Sequence, residues 1–254
     1  MIKVILYGID GTMGKVLLEA VEEHSEFQCV AGIAPRAKNI DSENVYTSLS
    51  EVVANADLLI DFSHPANLTD VVEYVKSTNI PTLIATTGYT DDELKIIEDL
   101  ANVAPVLWST NLSMGVNLIQ MILSQFGELL SQGRDVELIE KHHNKKVDVP
   151  SGTALTLANT LNDSLETQRP IQYGRCEGGK RQDEIAIHAI RGGTIVGEHQ
   201  VSFSGIDEII ELKHIAQSKR IFAEGALTVG EILMKKENGF YTTEGLLREA
   251  VGIK

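Results

Sequence analysis

Residues 140–154, EKHHNKKVDVPSGTA, gather two histidines and three lysines and then turn through Pro150-Ser151-Gly152-Thr153 into an apolar helical pattern. The chemistry open to such a group is narrow. Asp135 to His142 reads as a strand, so His142 and His143 point to opposite faces and make a poor two-point metal clamp; no third ligand stands nearby. Ser151 lacks the preceding glycine of a nucleophile elbow. It reads instead as a helix N-cap with Thr153, Ala154, Leu155 and Leu157 behind it. What remains is an anion site, in which the free N–H groups of a helix start are joined by the Ser151 and Thr153 hydroxyls and by Lys145, Lys146 and a histidine. A small di- or polyanionic substrate fits it. A solvated cationic loop is the competing reading, and it is the weaker one in an otherwise acidic chain.

A second chemical locus opens the chain. Ile2 to Tyr7 is a nearly continuous apolar run, followed by Gly8-Ile9-Asp10-Gly11-Thr12-Met13-Gly14 and then by Val16, Leu17, Ala20 and Val21 at helical spacing up to Glu23. The first glycine interval departs from the usual dinucleotide spacing, but strand, glycine turn and helix follow in the order that lets backbone N–H groups approach a pyrophosphate. A nicotinamide dinucleotide is the favoured ligand, and a βα turn with no ligand is the alternative. Two later turns, Ala85-Thr86-Thr87-Gly88 and Ser109-Thr110-Asn111-Leu112, fall at strand ends where hydroxyls and amides can bond the nicotinamide or ribose. The same residue types are also ordinary caps and turns. After the second strand no acid awaits the ribose hydroxyls before Asp41, whereas Arg36, with Lys38 as auxiliary, can pair with a 2'-phosphate. NADPH is therefore expected to serve at least as well as NADH, unless Arg36 simply faces solvent.

The elements that must position these residues follow from the apolar rhythm. Runs at 27–33, 56–62, 81–86 and 105–108 alternate with helical patterns near 66–77 and 91–102, which predicts a doubly wound α/β domain. From Asp135 the rhythm changes. Segments 184–191, 197–203 and 208–215 read as consecutive antiparallel strands, with Ile185, Ile187 and Ala189 alternating toward a packed face. A helical pattern over 221–235 is expected to return to the first domain, and the polar stretch 175–183 reads as a mobile loop or surface linker. The working plan is two domains with a cleft between them.

Composition narrows the class. Thirty-six acids against 22 bases leave a net charge of −14, which disfavours a phosphate-tracking nucleic-acid binder. Cys29 and Cys176 are the only cysteines, too few for a disulfide framework or zinc ribbon, so a reducing cytoplasm fits best. No signal peptide or membrane span is expected.

With these residues in view, the chain resembles the dihydrodipicolinate reductase family. The resemblance rests on Glu140-x-His142-His143-x-x-Lys146-x-Asp148-x-Pro150-Ser151-Gly152-Thr153-Ala154 and on Gly8 to Gly14, Ala85 to Gly88 and Asn111-x-Ser113-x-Gly115-Val116-Asn117. It extends to Arg191-x-Gly193-x-Ile195-Val196-Gly197-Glu198-His199 and Phe222-Ala223-x-Gly225-Ala226. Asn144 and Lys145 depart from an arginine common there, and Ala85 from a glycine. The resemblance implies an N-terminal Rossmann-like parallel sheet (1–112), a central α+β domain with a mixed sheet that binds substrate and tetramerises (113–219), and a C-terminal segment (220–254) that completes the first. It implies NADPH- or NADH-dependent reduction of 4-hydroxy-tetrahydrodipicolinate, a small dicarboxylate, in lysine and diaminopimelate synthesis, by a homotetramer; no metal is expected from the histidine geometry above. His142 then takes the acid/base position, Lys146 the proton donor, and His143, Lys146, Ser151, Gly152 and Thr153 the substrate contacts. Another oxidoreductase acting on a different small acid, or a dinucleotide sensor without turnover, are the rival readings.

Overall fold

In the computed structural model, residues 1–36, 44–175 and 178–252 are described; Lys38, Asp41 and Cys176 lie outside the described residues. The strands are β1 (Ile2–Tyr7), β2 (Phe27–Ile33), β3 (Val45–Tyr46), β4 (Leu58–Asp61), β5 (Thr82–Ile84), β6 (Pro105–Trp108), β7 (Asp135–His142), β8 (Ile171–Tyr173), β9 (Ile185–Arg191), β10 (Gly197–Ser204), β11 (Ile209–Ala216) and β12 (Gly239–Tyr241). The helices are α1 (Thr12–Glu23), α2 (Leu68–Thr78), α3 (Asp91–Asp99), α4 (Met114–Ser131), α5 (Gly152–Asp163), α6 (Arg220–Leu233) and α7 (Thr243–Ala250). They form two compact units, Met1–Ser113 with Lys219–Lys254, and Met114–Ser218.

In the first unit a parallel sheet runs in the order β12-β6-β5-β4-β1-β2-β3. Val4, Ile5, Leu6 and Tyr7 are all buried, as a central strand covered on both faces requires. The chain progresses outward from β1 to β3, then restarts at β4 on the other side, so the strand order reverses between β1 and β4. The carboxyl ends of those two strands are where an open α/β sheet leaves a ligand crevice. Helix α6 packs on α1 and on β4, β5 and β6.

The second unit is a five-stranded sheet in the order β11-β10-β7-β9-β8. Its apolar face, with Val136, Leu138, Ile185, Ile187, Val201 and Phe203, joins residues of α4 and α5 in one core. The strands from 184 to 215 are not a consecutive antiparallel set. β10 pairs antiparallel with β11 and β7, but β9 pairs parallel with β7 and with β8. Alternation reveals which face of a strand is buried and leaves its neighbour open, so the strand inserted between β9 and β10 was invisible to it. The described part of 175–183 is also anchored. Arg181 reaches Glu137 at 3.0 Å, Asp135 at 3.1 Å and three backbone carbonyls, and Arg175 pairs with Glu184 at 2.5 Å.

Candidate active site

The carboxyl end of β7 carries the densest group of buried polar side chains in the second unit. Strand parity puts Glu140 and His142 on the same face as Val136 and Leu138, while register sets His199 opposite Glu140 and Arg191 beside His142. Glu140 is fully buried. Its carboxylate accepts a two-pronged Arg191 fork at 2.7 Å on each oxygen, lies 2.6 Å from His142 Nδ1, and accepts the Ser151 amide at 3.0 Å. Ser151 caps α5 by accepting the Ala154 amide at 3.2 Å, and its hydroxyl lies 3.1 Å from His199 Nε2. The His199 and His142 rings meet edge to face with centroids 5.2 Å apart.

The loop from His143 to Pro150 hangs on the same group, because Arg191 also donates to the Asp148 carbonyl at 2.6 Å. Lys146 is not free: its ammonium lies 2.9 Å from the Asp148 carboxylate. Lys145 is exposed. Burial pushes the Asp148 carboxyl up, but Lys146 and the Gly152 amide outweigh it and hold the group below its ordinary range. An intrinsic carboxylate thus sits where ammonium and helix start converge, which is the behaviour expected of an anion subsite.

Charge is tuned by the same contacts. Burial works against the ionised Glu140, yet Arg191, His142 and the Ser151 amide together hold its carboxyl below the usual range. Burial lowers the His142 imidazole; Glu140 opposes that shift, and the cations Lys146 and Arg191 reinforce it. His199 is pushed down to about 4, first by burial and then by His142. Both rings are therefore neutral near pH 7.

In the first unit the Gly8 turn is closed by Gly11 N–H donating to the Gly8 carbonyl at 3.0 Å. Gly8 has φ +88, and a Cβ on Gly14 would lie 2.0 Å from the Gly8 carbonyl oxygen. Only glycine allows that approach of helix to turn. Gly11 caps α1 without a side chain, so the helix start presents bare amides. A cavity of about 270 Å³ opens here, lined by Gly8, Asp10, Gly11, Arg36, Ser63 and His64 among others. A second, of about 570 Å³, lies along Met13, Phe62 and the 85–88 turn. Bare amides, a glycine cradle and an exposed arginine suit a dinucleotide pyrophosphate and its adenosine end.

Two family models match the chain: dihydrodipicolinate reductase, N-terminus, over residues 2–112, and dihydrodipicolinate reductase, C-terminus, over residues 115–247. The chain belongs to the dihydrodipicolinate reductase family. A 4-hydroxy-tetrahydrodipicolinate reductase from Clostridium novyi is 44% identical over 98% of this chain and 99% of its own length. One from Caldanaerobacter subterraneus is 41% identical over 98% and 99%. Among solved structures, a dipicolinate-bound dihydrodipicolinate reductase from Paenisporosarcina sp. TG-14 shares the fold, with a TM-score of 0.79 at 23% identity over 95% of this chain and 97% of that one.

Within this dihydrodipicolinate reductase fold, the structure collects His142, Ser151 and the Gly152 and Thr153 helix start at one strand end. His143 follows the strand, and its backbone carbonyl accepts the Lys146 amide at 3.1 Å. Among the nucleotide-site expectations, Arg36 lines the smaller cavity, and Ala85, Thr86, Thr87 and Met13 the larger. Thr86 and Ser109 also have internal partners. The Thr86 hydroxyl accepts the Ser63 amide at 2.9 Å, and Ser109 bonds the Asn111 carbonyl and Thr243, each at 3.0 Å. Leu112 is buried beneath Gly225 of α6. Sequence reasoning passed over Phe62, Ser63 and His64, which line both cavities and which the strand-end rule applied to β4 would have found. The residue pattern alone also assigns no task to Glu140, Arg191 and His199. The i, i+2 spacing of Glu140 and His142 on a strand was the available signal.

Proposed function

We propose that this family member uses NADPH or NADH to reduce 4-hydroxy-tetrahydrodipicolinate to tetrahydrodipicolinate, a step of diaminopimelate and lysine biosynthesis. The observation that carries this reading is the capped start of α5 beside buried, neutral His142 and beside Lys146, a site for a small dicarboxylate next to proton-transfer groups. Gly8 to Gly14 would hold the pyrophosphate, Arg36 the adenosine end, and the 85–87 and 109–112 turns the nicotinamide side. Bound NAD(P)H supplies a hydride to the conjugated ring left when the substrate loses its hydroxyl as water. A substrate carboxylate takes the place of Asp148 at Lys146, and the Gly152 and Thr153 amides, with Ser151, share it. His143 adds a donor. Lys146 stabilises the negative charge that builds on the ring and supplies the proton; His142 acts as acid/base beside it.

The same reading makes residues 1–112 with 220–254 the dinucleotide-binding domain and 113–219 the substrate-binding and oligomerisation domain of a homotetramer. Support for assembly comes from the face of the second sheet opposite α4 and α5, which leaves Ile190, Ile209 and Ile215 exposed. It carries charges already paired within the sheet, such as Lys141 with Glu198 at 3.2 Å. Few cysteines suit a cytoplasmic location, and no described helix is long and apolar enough to cross a membrane.

The test is NADPH oxidation with freshly made substrate. Turnover is expected, with pyridine-2,6-dicarboxylate competing against substrate far better than picolinate does, because two carboxylates meet two sets of donors. Tight cofactor binding without turnover would overturn the enzyme reading, and equal inhibition by both pyridines would remove the two-point site.

A further inference from the structure

Glu140 has no substrate contact to make, being fully buried, yet three N–H donors from Arg191 and Ser151 converge on it together with His142 Nδ1. A buried carboxylate left without partners is costly, and one so completely paired is held in a single pose. Its Oε2 faces His142 Nδ1 at 2.6 Å, and an ionised carboxylate can only accept, so the neutral imidazole carries its proton on Nδ1. Nε2 is then left as the working nitrogen. Arg191 neutralises the carboxylate and, through the Asp148 carbonyl, fixes the loop that carries Lys146. Oε1 meanwhile takes the Ser151 amide at the mouth of α5.

We propose that Glu140, clamped by Arg191, is a positioning residue for the reaction: it selects the His142 tautomer that leaves Nε2 available and ties that ring to the anion-binding helix start. The proposal rests on the reductase reading for its kinetic consequence and on geometry alone for the tautomer. Its test substitution is Glu140→Gln. Two fixed donors, the Ser151 amide and Arg191 Nη2, require an acceptor at the Oε1 position and one, Arg191 Nη1, at Oε2, so the new amide oxygen takes the Oε1 side and its NH2 turns toward His142, at the cost of the Arg191 Nη1 bond. His142 Nδ1 must then accept, and the proton moves to Nε2.

The experiment has two arms. In the first, imidazole 15N spectra, with the His142 signal assigned by its loss in His142→Asn, are expected to show an Nδ1-protonated ring in the wild type and an Nε2-protonated ring in Glu140→Gln. In the second, Glu140→Gln is expected to lower kcat by about 100-fold or more, on the scale of lost general acid–base catalysis, with NADPH binding retained. The loss should vanish in a His142→Asn background, since two groups acting as one unit do not add. A purely structural role would give an additive loss in the double variant and an unchanged tautomer, and either result overturns the proposal. If Glu140→Gln fails to fold, Glu140→Asp replaces it: the charge still meets Arg191 but withdraws from His142, so kcat must fall, again without further loss in His142→Asn. A wild type inert toward the substrate would remove the reductase reading, and the tautomer arm would then decide the positioning role alone.

Discussion

Around Gly8 the site is framed by a glycine turn and a bare helix start, whereas around His142 it is framed by a hydrogen-bonded group of polar side chains built on the fully buried Glu140. The first unit offers its ligand bare helix amides, a turn that excludes any Cβ, and an exposed Arg36. In the second, Glu140, Arg191, His142, Ser151 and His199 bond one another before any ligand arrives, although Arg191 Nε and His199 Nδ1 keep no partner among the described residues. A backbone site tolerates many side chains and forbids a few atoms. A paired network resists even an isosteric change, because each lost partner strands another buried group.

Acid separates the two units most sharply. His199 has its pKa lowered to about 4 from 6.5, so between those values the unfolded chain binds the proton that the folded chain refuses. Stability from this group is present above pH 6.5 and is lost as pH falls toward 4, by an upper limit of about 3 kcal/mol. His142 and His214 are shifted the same way. In the first unit Asp61 is raised by burial despite hydrogen bonds from Ser63 and Thr86, so its contribution is largest in acid and is lost as pH rises through its folded value. Hydrogen exchange at pH 7 and pH 4.5, corrected for intrinsic rates, should show second-unit amides losing protection first. Earlier opening of the parallel sheet would break the contrast.

Removing one ammonium should be nearly as costly to activity. Lys146→Ala is expected to lower kcat by roughly 100-fold, the usual scale of a lost general acid, while NADPH binding in the first unit stays intact. A raised KM at near-native kcat would make Lys146 an anchor for the substrate carboxylate and move the proton donor elsewhere.

The converse experiment is Gly14→Ala, which places a methyl 2.0 Å from the Gly8 carbonyl oxygen. Helix α1 must shift, at about 1–3 kcal/mol for overpacking of this kind. The expected outcome is weaker NADPH binding and a less stable first unit, with the affinity for pyridine-2,6-dicarboxylate unchanged. Loss of dicarboxylate binding in Gly14→Ala would show that the two sites are not independent.

The same difference in material explains what could be read from the residues. β1 was legible because burial on both faces writes a continuous apolar run, and α5 because Ser151 stands directly before a helical period. The glycine turn was legible because its constraint is local. The neighbours of β9 were not, since period-two alternation is the same whether the adjoining strand is parallel or antiparallel. Nor was the task of Glu140, whose arginine partner lies 51 residues away and is brought alongside only by the parallel register of β7 and β9. The carboxylate facing Lys146 is likewise not legible, because only the conformation of the loop folds Asp148 back onto the ammonium two residues before it.

The smallest expected effect tests the most exposed wall of the proposed nucleotide site. Arg36 stands at the rim of the cavity bounded by Gly8 and Gly11, and no carboxylate among the described residues 34–36 competes for the ribose. A 2'-phosphate there would meet a guanidinium able to bond it through two N–H groups. Solvent limits the gain, so NADPH should exceed NADH by roughly 5- to 30-fold in kcat/KM, the scale of a charge-assisted pair weakened by partial exposure. Arg36→Ala should remove most of that preference by lowering NADPH efficiency alone. Raising ionic strength should shrink it in the wild type, since the screening length falls from about 10 Å at 0.1 M to about 3 Å at 1 M salt. An Arg36→Ala change that harms both cofactors equally would assign this arginine to the adenine or to the turn itself, and a salt-independent preference would mean that shape, and not charge, selects the cofactor.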